Sequence, residues 1–408
     1  MQPNLYVDLY PSDRLQVVFK EVKEGVFDFE KLTTDHIRQH PWHSNCWVLT
    51  ALASAIINRQ YLNNICKAQS EGRGKVFNFQ FWDPIFREWK LITIDNKIPH
   101  VFKDGKYVPI SSEIIGNNIC VAIFEKAIAA YLGAYVKLNN GQSSNIVRLF
   151  TPDLIQMNIE AKTTEFKRLF SILKLCHQSN YTIEIYTTKD GTSINPNFIP
   201  DHSILIKDVT DKYITILNPY GIEQEVSYKD FYKAEFIITI STDIKYIKTS
   251  NDPLTVDLIL FRRDPNLGAC KELNLCVSIL FNWVFPWNPI LNKYTNTQNS
   301  VYLTVREDQY VSIMDIQSIT HPEYVRMELF DLNIRDVSKR DDPLGRIGCS
   351  NSLDKIVYIN TTCTYINIKL SKGTYRLILG ASPSKPVIDI GRNRYHRLVI
   401  YGKNIDYF

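Results

Sequence analysis

No pair among the chain's eight cysteines stands at a CxxC spacing. Their scatter at positions 46, 66, 120, 176, 270, 276, 349 and 363 does not build the framework of a disulfide-rich secreted domain. Long apolar runs are missing too. The most apolar window, Cys276 to Leu291, is interrupted by Asn282, Pro286, Asn288 and Pro289, so it does not read as a membrane span. The first residues, Met1-Gln2-Pro3-Asn4-Leu5-Tyr6, lack the basic and apolar regions of a signal peptide. Charge of one sign is scarce: 47 basic residues stand against 43 acidic ones, net +4, with no Lys/Arg block. Nothing in that balance asks for nucleic acid. Internal repeats and low-complexity segments are absent. These absences lead to the expectation of a cytoplasmic protein in a reducing compartment, where a free thiol survives.

With 408 residues, 45% of them hydrophobic and 22% charged, the chain can bury two or three domain cores. One stretch organises it: Gln39-His40-Pro41-Trp42-His43-Ser44-Asn45-Cys46-Trp47, followed by Val48 to Ile57. Leu49, Leu52, Ala53 and Ile56 recur at helical spacing, with no Gly or Pro inside. Ser44 and Asn45 are good N-cap residues, and Pro41 keeps the preceding chain out of a helix. Cys46 therefore belongs to the first turn, where unpaired N–H groups and the helix dipole favour a thiolate over the ordinary thiol, whose pKa is about 8.5. A free Cys is also commonly just a small core hydrophobe.

Residues 1–30 mix charged and aromatic types without period and read as an N-terminal extension. Val76 to Trp82 and Glu88 to Asp95 alternate apolar with polar and form a hairpin across Asp83-Pro84. Residues 119–138 give a long amphipathic helix stopped near Asn139-Asn140-Gly141, and helical character recurs from Glu165 to Cys176. Strands are expected at 182–187, 203–206 and 213–217. Beyond about 250 no helix is convincing; alternating stretches such as Val301 to Val305, Tyr310 to Met314 and Tyr375 to Leu379 suggest an antiparallel sandwich. The chain thus changes character near 245–255.

A cysteine nucleophile needs a base and a group to orient that base. His36, His40 and His43 lie too close upstream of Cys46 to face it from an opposing wall. His202 begins a strand, and the turn at Asp208 to Lys212 brings Asn218 back beside it. A strand His is usually structural, but a His–Asn pair facing a helix-terminal Cys is a catalytic constellation. Zinc at His36, His40, His43 and Cys46 is disfavoured: Pro41 breaks the helix that would align them, and the spacing fits no finger.

The same residues resemble the calpain-type cysteine protease family. Cys46-Trp47 with Leu49 and Ala51-Leu52-Ala53-Ser54 resembles its nucleophile helix; Phe77 to Trp82, Glu88-Trp89 and Asp95 to Pro99 resemble the following hairpin. Phe124-Glu125-Lys126-Ala127 with Gly133 and Tyr135, then Asp201-His202-Ser203, Asn218-Pro219-Tyr220-Gly221 and residues 368–380, complete the likeness over about residues 35–408. The resemblance implies an α+β fold: a papain-like two-lobed core (31–145 and 146–248) followed by an all-β antiparallel sandwich domain (249–408). It also implies Cys46 as nucleophile, His202 as general base and acid, and Asn218 as orienter, acting on protein substrates held as extended peptides between the lobes.

Departures from the family are specific. Its oxyanion Gln stands six residues before the nucleophile; here His40 does, with Gln39 one residue further, and Gln39 is the favoured donor. Ser44-Asn45 replace Gly-Asp, and Tyr220 replaces a Trp that shields the His–Asn pair. The family's lobes often hold calcium in acidic loops, but Gly221 runs through Ile222-Glu223-Gln224-Glu225 into Val226, and Asn145 to Phe150 stands where an acidic stretch would be. No cofactor is therefore expected; calcium is possible but not supported by these loops. The competing function classes are a scaffold of the same fold with an impaired oxyanion hole and, less well matched by Asn218, a transglutaminase-like acyl transferase. Arg262-Arg263 and Arg392, Arg394 and Arg397 leave docking of the last domain to a membrane surface or an acidic protein open.

Overall fold

The computed structural model describes residues 17–22, 25–41, 43–66, 76–139, 141–152, 154–160, 166–187, 198–234, 236–243, 274–283, 287–288, 293–294, 297–317, 324–333, 345–348, 363–382 and 394–408. Trp42, Asn140, Arg262, Arg263 and Arg392 lie outside them. The chain divides into two compact units, Met1–Asp83 with Arg87–Tyr246, and Pro84–Phe86 with Ile247–Phe408. Helices are confined to the first among the described residues, giving an α+β chain.

The first described element of the first unit is β1 (Val17–Glu21), which lies within the stretch expected to be an extension. It pairs antiparallel with β4 (Lys97–Lys103), and β4 pairs with β5 (Lys106–Pro109). Helix α1 (Cys46–Ile57) is followed by α2 (Arg59–Ile65) and by the hairpin of β2 (Val76–Asp83) and β3 (Glu88–Asp95). That hairpin keeps the expected register, with Trp82 opposite Trp89.

Leu49, Leu52, Ala53 and Ile56 describe only part of α1's buried surface. Cys46 through Ile56 are all buried, so the helix is surrounded rather than one-sided. Its two central polar groups are satisfied: Thr50 Oγ1 donates to Ser203 O at 3.0 Å and Ser54 Oγ to Ala51 O at 2.7 Å. Helix α3 (Cys120–Leu132) is shorter than the reading over 119–138. It stops at Gly133, whose φ of +92° is the left-handed conformation that a Cβ disfavours, and a short 3-10 turn follows over Tyr135–Leu138.

Helix α4 (Ser143–Val147) leads to β6 (Leu154–Glu160), α5 (Phe166–Gln178), β7 (Thr182–Thr187), β8 (Ser203–Val209), β9 (Tyr213–Asn218), β10 (Ile222–Ser227), α6 (Tyr228–Lys233) and β11 (Phe236–Asp243). The six strands form one antiparallel sheet in the order β10-β9-β8-β7-β11-β6. Ile204, Ile206, Ile214, Ile216, Ile238 and Ile240 are buried in it. The start of β8, against which α1 packs, is thereby central to the sheet.

In the second unit the described residues are strands and their turns. A four-stranded sheet combines 274–283, 394–402, 309–317 and 363–370, and a five-stranded sheet combines 345–348, 324–331, 373–382, 297–305 and 405–407. Val311, Ile313, Leu398 and Ile400 of the first join Leu303, Met327, Leu329 and Leu377 of the second in one buried apolar cluster. Such alternation is what buries one face of each sheet.

Candidate active site

Cys46 is the first residue of α1, and 7% of its surface is exposed. Backbone N–H groups of Ser203, Trp47 and Cys46 itself face its sulfur and favour the thiolate, but burial outweighs them and pushes the thiol above its ordinary range. The helix terminus acts in the expected direction; desolvation is larger. Ser203 therefore joins two elements: its N–H faces Cys46, its carbonyl accepts from Thr50, and its chain neighbour is His202.

His202 Nε2 donates to Asn218 Oδ1 at 3.0 Å. Asn218 Oδ1 also accepts from the Tyr220 N–H at 3.0 Å, which fixes that atom as the oxygen and so places the imidazole proton on Nε2. Nδ1 is then the acceptor nitrogen. The Tyr220 ring stacks on the His202 ring, with centroids 5.3 Å apart and planes 6° from parallel. Burial lowers the His202 pKa below its ordinary 6.5, opposed by the Asn218 hydrogen bond, so the ring is neutral at pH 7.

Gln39 is buried, and its backbone N–H donates to Pro219 O at 2.8 Å, tying the segment before Cys46 to the turn after Asn218. Its Nε2 donates to His43 O, while Oε1 has no partner. His43 is buried as well, bonded through Nε2 to Ile110 O, and desolvation drives its pKa to about 4. His40 is half-buried with its ring 5.9 Å from that of His43. The structure thus brings Cys46, His202, Asn218 and Gln39 onto two facing segments, with His40 at the same loop. Among the described residues no group of three or more His, Cys, Asp or Glu is arranged to hold a metal ion.

Two neighbours escaped the sequence reading. Tyr186, opposite Ser203 across β7–β8, has its phenol pushed to about 12 by burial, by Asp201 and by the charge Cys46 would carry. Its signal was only its strand's adjacency to the His202 strand. Glu125 lies in the helical pattern without marking itself out; its carboxylate is fully buried and bonded to Asn45 and Ser112. Asn45 does occupy the N-cap position, but no side-chain cap bond forms.

Against this geometry stand the relatives. A family model described as calpain family cysteine protease matches residues 15–230. The chain belongs to the calpain family of cysteine proteases. The calpain-1 catalytic subunit of Rattus norvegicus is 28% identical over 201 residues, 45% of this chain and 27% of that protein. The Mus musculus calpain-1 catalytic subunit is 36% identical over 110 residues (26% and 15%), and the Homo sapiens calpain-2 catalytic subunit 26% over 197 residues (43% and 27%). These matches span about a quarter or less of the relatives' length. Among the described residues of this calpain-family chain, no helix is long and apolar enough to cross a membrane.

A second buried acid lies behind the site. The Ser143 hydroxyl faces the buried Glu184 carboxyl on β7 and also pairs with Ser203 Oγ at 3.1 Å. Burial pushes this carboxyl to about 8. A raised acid holds a proton in the folded state that the unfolded chain releases, so its contribution is complete below pH 4.5 and is lost as pH rises through about 8. Glu184→Gln is expected to flatten the fall of the urea midpoint across that window. The slope removed is at most about 1.4 kcal/mol per pH unit. An identical pH dependence in the variant would contradict the assignment.

Proposed function

We propose that this chain is a papain-like cysteine endopeptidase acting through Cys46, His202 and Asn218, followed by a β-sandwich domain and working without calcium in its catalytic lobes. The observation that carries the reading is the meeting at Ser203: its N–H faces the Cys46 sulfur while the adjacent His202 holds its proton on Nε2, toward Asn218. In this reading His202 Nδ1 takes the thiol proton as sulfur attacks the scissile carbonyl. The proton then passes to the leaving amine, and water drawn by the same nitrogen hydrolyses the thioester. Because the resting thiol is protonated, the nucleophile is generated by transfer to His202 rather than stored. Backbone N–H of Cys46 and the second Gln39 amide hydrogen are the proposed oxyanion donors.

The substrate is a protein segment, extended in the cleft between the lobes, and the compartment is the cytosol. The sandwich domain is proposed to dock substrate protein or a membrane surface. A specific observation favours the scaffold alternative: one Gln39 donor is already committed to His43 O. The intact His202–Asn218 pair favours the enzyme.

Calcium fits poorly where the family's second loop would stand. Asn218 and Ile222 pair directly across a turn closed by the Gly221 N–H on Asn218 O at 2.8 Å, and Glu223 is paired with Lys207. A hard cation takes about 6–8 oxygen ligands, which this turn does not offer. Gly221 itself (φ +78°) sits under the Arg38 guanidinium, where a Cβ would collide.

Hydrolysis of a quenched casein substrate by the full chain is expected in EDTA, with calcium changing the rate less than about 2-fold. His202→Ala is expected to lower kcat at least about 100-fold, the usual worth of a general base. Activity that requires calcium, or that survives in His202→Ala, would overturn the reading. Because the His202 pKa lies below 6.5, the acid limb of kcat/KM is expected below pH 6.5. A limb above pH 7 would show that another group controls the thiol.

A further inference from the structure

The fully buried Glu125 on α3 has a single oxygen, Oε2, that accepts from Asn45 Nδ2 at 2.9 Å, from Ser112 N at 2.9 Å and from Ser112 Oγ. Its other oxygen has no partner. The cation beside it in sequence is turned elsewhere: Lys126 Nζ binds the Asp95 carboxylate and Lys97 O. Glu125 is therefore no ion-pair member. It is an acceptor node joining the chain before Cys46 to the segment after β5, which His43 also reaches through Ile110 O.

Asn45 immediately precedes the nucleophile and starts α1 with its carbonyl, which accepts from Val48 N at 3.0 Å and Leu49 N at 3.2 Å. An N-cap Asn ordinarily folds its side chain onto the N–H two or three residues ahead, Trp47 or Val48. Here it does not, and its Oδ1 is left unpartnered. The amide is drawn to Glu125 instead, so the Trp47 N–H stays facing the Cys46 sulfur, as does the N–H of Cys46.

We propose that Glu125 is a positioning residue for the nucleophile, holding the Asn45 side chain off its own helix so that the first-turn N–H groups remain available to sulfur and oxyanion. The inference rests on Cys46 being the nucleophile. It assigns Glu125 no contact with substrate; the effect passes entirely through Asn45.

The test uses the full chain and three readouts: kcat and KM on the quenched casein substrate, the iodoacetamide alkylation rate of Cys46 by intact mass, and amide exchange at Cys46 and Trp47. Glu125→Ala is expected to lower kcat about 10- to 100-fold with KM changed less than about 3-fold, the range for loss of alignment or of one oxyanion donor. Alkylation should slow in parallel and exchange at both amides should change. Glu125→Gln, which keeps one acceptor oxygen and the side-chain volume, is expected to recover most of the rate. Asn45→Ala combined with Glu125→Ala should cost no more than the worse single change, since both act through one bond. A lower melting temperature in Glu125→Ala with kcat, alkylation and exchange unchanged would make Glu125 merely structural and overturn the proposal, as would additive effects in the double variant. Wild type without hydrolysis would sink the catalytic reading, while alkylation and exchange would still decide the role of Glu125.

Discussion

The site depends on how the first turn of α1 seats against the start of β8. A helix N-terminus offers unpaired N–H groups, and a strand start offers one N–H and one carbonyl not yet in its ladder. At Ser203 these meet: its N–H faces the Cys46 sulfur and its carbonyl takes the Thr50 hydroxyl. His202 precedes Ser203 in the chain, and the β8–β9 hairpin brings Asn218 to its Nε2. The Gln39 N–H on Pro219 O adds a second tie between the same two segments.

Burial sets the electrostatics more strongly than charge does. Cys46, Glu125 and Glu184 are raised and His202 and His43 lowered, in each case with desolvation as the largest cause. Burial thus favours the neutral thiol at Cys46 and the neutral imidazole at His202. In the proposed reaction the weight would fall on hydrogen bonds that form as charge develops. Backbone N–H groups at the α1 terminus are suited to that, because they are fixed before reaction and need no reorganisation.

Periodicity and turn chemistry made much of this legible. The hairpin of β2 and β3, the strands from 182 to 218 and the strands among the described residues after 250 could be read because alternation and turn residues agree there. His202 and Asn218 could be paired because a short hairpin fixes which residues return to one end. Three things were hidden. Gly133 ended α3 six residues early because a left-handed glycine outweighs a continuing apolar pattern at Tyr135. Asn45 reads as a cap, but a buried carboxylate 80 positions away competes for its amide. The thiol's environment was misjudged in size, since sequence shows the helix terminus but not the burial that opposes it.

The central claim is an assembled Cys46–His202 pair that needs no calcium. Its most direct test is labelling of the full chain by an epoxide-type cysteine-protease inhibitor, read by intact mass in EDTA and in calcium. Single labelling in EDTA, abolished in Cys46→Ala and sharply reduced in His202→Ala, is the result the account predicts. Labelling that appears only with calcium, or that His202→Ala leaves intact, would contradict it.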